Sequence, residues 1–93
     1  MKVICINAKN RPKDFPEELW LVERVEIYTV IEVQRMVRQN GSLGFVLKER
    51  DLVGLPYSSF LASRFRPATK RDEKLIKEAE SLLEELELET LTL

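Results

Sequence analysis

The chain has 93 residues, 44% hydrophobic and 33% charged, with a net charge of −1, the profile of one small soluble globular domain that buries a core with little margin. No apolar run approaches the roughly 20 residues that span a bilayer, and one cysteine with no histidine rules out an internal disulfide and a structural zinc site while removing the commonest general base. Only three glycines are present, and neither phosphate-binding glycine loop occurs, so the inventory points away from an enzyme, a cofactor or a bound metal.

"KVICIN", Lys2–Asn7, reads as a first strand. Its two faces are both apolar, which predicts burial on both sides and makes Cys5 an inert core residue. The apolar start is too short for a leader, and the lone thiol fits a reducing, cytoplasmic setting. "AKNRPKDFPEELW" follows as a long loop with one turn of helix at Pro16–Leu19, where Pro16 suits the first position and Glu17 and Glu18 suit the positive end. Trp20 closes that loop. It either plugs the open end of a barrel or offers an aromatic contact to a partner.

"VEIYTVIEVQRMVRQ", Val25–Gln39, is a long strand, "NGS" a turn, and "LGFVLKE" the returning strand. Matching apolar faces favours a three-residue loop, Gln39-Asn40-Gly41, with Gly41 left-handed. That register opposes Arg38 to Ser42, Val37 to Leu43 and Val33 to Leu47. Tyr28 and Val30 have the opposite parity to Ile31 and Val33, so the strand must bend or bulge between them. Leu52–Leu55 reads as a short fourth strand, "PYSSF" as a tight turn or a single 3-10 turn, and "ASRFR" as a fifth strand ended by Pro67. In that fifth strand Phe65 faces the core, and Arg64 and Arg66 face away.

"TKRDEKLIKEAESLLEEL" is an amphipathic helix over about Lys70–Leu86. Thr69 and Asp72 have capping-box spacing. Leu75, Ala79, Leu82 and Leu86 recur at helical intervals, with Ile76 and Leu83 widening the stripe. The last residues, "LELETLTL", alternate as a strand or a disordered tail would. Charge divides the chain: residues 1–71 hold 13 Lys/Arg and 8 Asp/Glu, whereas residues 72–93 hold 2 Lys and 8 Asp/Glu. A mildly basic body thus carries an acidic helix.

The order of these elements predicts a mainly β fold, a small SH3-like barrel of about five strands over residues 1–68. The acidic amphipathic helix and tail, residues 69–93, form part of the same single domain. "KVICIN", "EIYTVIEV", "LGFVLKE" and "SSFLASRFRP" resemble a family of small bacterial proteins, often phage-linked, built on an SH3-like barrel. The likeness covers about residues 2–68. That family has a glycine just before its "E-x-Y-T-V" strand, where Val25 stands here. The resemblance implies a fold and no activity.

A barrel this small favours a non-enzymatic protein-interaction module over an active site. Trp20, Tyr57 and Phe60 are the candidate partner-binding aromatics, with Arg64 and Arg66 beside them; closing the barrel is the competing role for Tyr57 and Phe60. The alternative is a nucleic-acid-binding barrel that uses Arg35, Arg38, Lys48, Arg50, Arg64 and Arg66, with the acidic helix as a mask. A third expectation is assembly: the stripe Leu75, Ala79, Leu82, Leu86 docks on a barrel in its own chain or in a second copy as a homodimer, and the alternating tail pairs with an edge strand. A membrane partner is not expected.

Overall fold

β-Branched residues crowd the N-terminal half, and the chain uses them in five antiparallel strands. The structure is a computed structural model and describes residues 1–36 and 40–91. β1 is Lys2–Cys5, β2 Ile27–Met36, β3 Ser42–Leu47, β4 Phe60–Leu61 and β5 Phe65–Pro67. They lie in the order β4-β3-β2-β1-β5. The first half of β2 pairs with β1, Tyr28 opposite Val3, and the second half pairs with β3. One 3-10 turn, Ala62–Arg64, separates β4 from β5. A bent strand shared by two halves of the sheet, with a 3-10 turn before the closing strand, is the arrangement of a small SH3-like barrel. The fold is mainly β, with one C-terminal helix, α1, Lys70–Leu91.

The expected bulge falls where the parity of β2 changes. Val30 pairs with Leu47 and Glu32 with Val46, so Ile31 is the extra residue. Tyr28, Val30 and Leu47 therefore meet inside, with Tyr28 wholly buried. The hairpin register differs from the one expected. Met36 opposes Ser42, Val33 opposes Phe45 and Arg35 opposes Leu43. Val37, Arg38 and Gln39, on which the expected loop and its first pairs fall, lie outside the described residues. Ile31 at the bulge and Val33 after it are both exposed, so the match of Val33 with Leu47 that favoured the expected register is not made. Gly41 is left-handed as expected (φ 73°), and its N–H closes the turn on Met36 O at 3.1 Å.

β1 is buried on both faces at Val3, Ile4 and Cys5. Val3 and Cys5 join the main core with Phe15, Leu21, Tyr28, Leu47, Phe60 and Phe65. Ile4 points the other way, toward α1. Burial pushes the Cys5 thiol pKa up, although a backbone hydrogen bond opposes it. The long loop makes its short 3-10 turn at Glu17–Leu19, with Pro16 as the preceding residue. The chain enters β2 through a left-handed Arg24 (φ 62°), whose N–H donates to Cys5 O at 3.0 Å.

Two expected strands are not made as read. Leu52–Leu55 is a turn: Asp51 Oδ1 accepts the Val53 N–H at 3.0 Å, and Leu52 O accepts from Leu55. "ASRFR" splits into the 3-10 turn and β5, so only Phe65 onward is strand. β4 comes earlier, at Phe60–Leu61, where Phe60 pairs with Phe45. Here Gly44 lies so close to its neighbours that a Cβ would stand 2.9 Å from Met36 Cγ and nearer still to Ser59 Oγ. A side chain would push β4 away from β3.

Candidate functional site

Two surfaces answer to the sequence expectations. The first gathers the aromatics. Phe15, held in the loop by an Arg11 hydrogen bond to its carbonyl, is the hub. Its ring lies 5.0 Å from Trp20, 5.3 Å from Tyr57 and 5.7 Å from Phe60. So Trp20, Tyr57 and Phe60 do converge, but on a buried ring rather than around an open groove. Phe60 is only 3% exposed. Trp20 Nε1 donates to Ala8 O at 2.7 Å, and the Arg64 guanidinium stacks 5.0 Å from its ring. Arg64 Nη1 also donates to the carbonyls of Asn7 and Lys9. Tyr57 Oη donates to Asp14 Oδ1 at 2.6 Å. This cluster ties the long loop to the barrel.

Several of the basic residues are engaged within the chain. Arg66 grips Asp72 with both Nη atoms, at 2.8 and 2.9 Å. Arg35 donates to Gly41 O at 3.0 Å. Arg50 is drawn inward: its guanidinium lies 5.1 Å from the Tyr28 ring, Nη2 donates to Tyr28 Oη at 3.2 Å, and Glu26 Oε2 stands 2.9 Å away. That last contact is an ion pair, and among the described residues Glu26 Oε2 and Arg50 Nε have no hydrogen-bond partner. Burial in this cluster pushes the Tyr28 hydroxyl up to about 12, even though Tyr28 Oη accepts the Val22 N–H. Arg38 lies outside the described residues. Lys48 is exposed.

The second surface is where α1 leaves the barrel. The capping box forms as expected. Asp72 Oδ2 accepts the Thr69 N–H at 2.7 Å, and Thr69 Oγ1 accepts the Asp72 N–H at 3.2 Å. Asp72 thus holds the cap and Arg66 together, and these hydrogen bonds set its carboxyl well below the usual range. The first turns of α1 lie over β1, beside Ile4. Ile4, Arg24, Val25, Leu75, Ile76 and Leu83 line an apolar groove of about 300 Å³ between barrel rim and helix. Lys2 reaches Glu73 along its edge at 3.5 Å.

The apolar side chains along the helix stay largely exposed. Leu75 is 52% exposed, Leu82 and Leu83 57% each, and Val25 on the adjoining rim 59%. Ala79 and Leu86 are exposed with them. The expected docking in the same chain is therefore limited to the helix base. The Arg66–Asp72 fork and the cap hold the start of the helix against β5. The alternating tail is not a separate strand as far as Leu91, because α1 continues through it: Leu and Glu are strong helix formers. Phe15 as the hub and Val25 as rim are absent from the sequence expectations. Phe15 carries a usable signal, an aromatic locked between Asp14 and a helix-starting Pro16. Val25 carries none.

Among the described residues, no group of three potential ligands is placed to hold a metal ion, and no helix is long and apolar enough to cross a membrane. Compared with known proteins, the chain matches no family model, no curated protein and no solved structure at a significant level.

Proposed function

We propose that this chain is a non-enzymatic protein-interaction module, kin to the small phage-linked SH3-like proteins it resembles, and that its contact surface is the rim-and-helix groove. The observation carrying this reading is the set of apolar side chains on rim and helix, Val25, Leu75, Leu82 and Leu83, each at half exposure or more. Monomeric proteins seldom leave such a set uncovered. The occupant that fits is an amphipathic helix with an acidic flank. Arg24 lines the groove, beside Glu80 and the Arg66-bound Asp72, and Arg71 and Lys74 stand exposed on the same stretch of helix.

The aromatic cluster has less support as the contact surface, because its rings are spent on one another. The nucleic-acid reading has less support for a similar reason: Arg35, Arg50, Arg64 and Arg66 are each engaged inside the chain. The test is an NMR titration of the full chain with a synthetic Leu/Glu-rich amphipathic peptide. Amide shifts are expected at Arg24, Val25 and Leu75–Leu83. Shifts confined to Trp20, Tyr57 and Phe60, or no shifts at all, would move the reading off this surface.

A further inference from the structure

The helix is divided by charge as well as by polarity. Residues 70–77 hold four Lys/Arg and two acids, Asp72 and Glu73, and both acids are taken up by Arg66 and Lys2 of the barrel. Residues 78–91 hold six Glu and no basic residue. The glutamates crowd the negative end of their own helix dipole, an unfavourable placement for an isolated helix. A partner that brought positive charge and the positive end of a dipole to that half would relieve it. The base of another copy's helix has both. It has Lys70, Arg71, Lys74 and Lys77, and it has its own first turn.

We infer that the occupant of the groove is a second copy of this chain, with the two α1 helices antiparallel and crossing near Ala79. The inference rests on the reading of the rim-and-helix groove as the contact surface, and it names what fills it. In this arrangement the Leu82/Leu83 end of each helix enters the groove of the other, over Val25, Leu75 and Ile76. Ala79 sits at the crossing, where a small side chain lets the backbones approach. The acidic half of each helix runs beside Arg71 and Lys74 of its partner, and passes the partner's exposed Arg24 on the rim. A parallel pair would instead set six glutamates against six. The helix is only 22 residues long, marginal as an isolated two-stranded coil, so the barrel rim supplies the remaining contact. The expected dimer is therefore one of moderate affinity, weakened by salt because its selectivity is electrostatic.

Sedimentation equilibrium on the full chain at tens of micromolar should give twice the 10.9 kDa monomer mass. Leu82→Glu with Leu83→Glu should return the monomer, with Trp20 fluorescence unchanged because the barrel does not depend on that end of the helix. Arg71→Glu with Lys74→Glu should dissociate the dimer, as should Glu84→Lys with Glu85→Lys and Glu87→Lys. Mixing those two variants in equal amounts should restore it. Orientation is read from a spin label on Lys70→Cys, Cys5 being buried: two labels should stand about 30 Å apart in the antiparallel pair, against roughly 10 Å in a parallel one. A monomer at these concentrations, or the short distance, overturns the inference. A monomer that still binds the acidic peptide overturns it alone; a monomer that does not bind the peptide takes the proposed contact surface down as well.

Discussion

Asp72 does two jobs with one carboxylate. It accepts from Thr69 to start the helix, and it accepts both Nη atoms of Arg66 to fix where the helix leaves the barrel. Its folded-state pKa is depressed, first by Arg66 and then by Thr69. A depressed carboxyl adds stability above the unfolded value of about 3.9 and loses it as the pH falls through that value toward the folded one. Thermal melts of wild type and Asp72→Asn should therefore differ most near neutral pH. The gap should narrow below about pH 4. A gap that stays constant with pH would mean that the negative charge does not matter. Tyr28 shows the opposite use of burial. It is pushed up to about 12 and stays neutral, its Oη accepting from both the Val22 N–H and Arg50 Nη2.

At the scale of elements, β2 decides the barrel and the long loop seals it. The Ile31 bulge lets one strand face the core with Tyr28 and Val30 in its first half and then pair with β3 in its second. β5 closes the far edge through Phe65, which packs 6.1 Å from Tyr28 and 5.7 Å from Phe45. Phe15 does the same for the loop. Phe65→Ala and Phe15→Ala should each cost about 3–5 kcal/mol, because both delete a buried ring among other rings. Urea unfolding of the two variants checks this. A loss under about 1 kcal/mol at Phe15 would show that the loop is held by polar ties alone, those of Trp20, Tyr57 and Arg64.

At the scale of the whole molecule, the chain is long for its size. Its Cα radius of gyration is 15.7 Å, where a compact domain of this length has about 12 Å. The extents are 53 × 30 × 21 Å, and the projecting helix accounts for the long axis. Small-angle scattering of the Leu82→Glu/Leu83→Glu monomer should give a radius well above the compact value. A result near about 12 Å would place the helix flat on its own barrel. The basic body and acidic helix are then separated in space, which is the charge arrangement that head-to-tail or antiparallel partners exploit.

Local chemistry makes much of this legible in the amino-acid sequence. Alternation and β-branching mark β1, β2 and β3. The parity break in "YTVIEV" locates the bulge, and Thr69 with Asp72 locates the helix start. These signals are local, because each depends on residues a few positions apart. Register, the true fourth strand and the fate of the arginines are decided only by tertiary structure. Val33 has the character of a core residue, and the bulge turns it outward. Phe60–Leu61 becomes a strand by pairing with β3 at Phe45 and Gly44, where the Ser59 and Met36 side chains leave no room for a Cβ. Arg66 and Asp72 are six apart, a spacing with no meaning on one helix face; they meet because β5 ends where α1 begins. The apolar stripe of α1 is written plainly in the sequence. That its own barrel leaves it uncovered depends on the direction in which one ion pair and one cap send the helix, and a periodic pattern carries no direction.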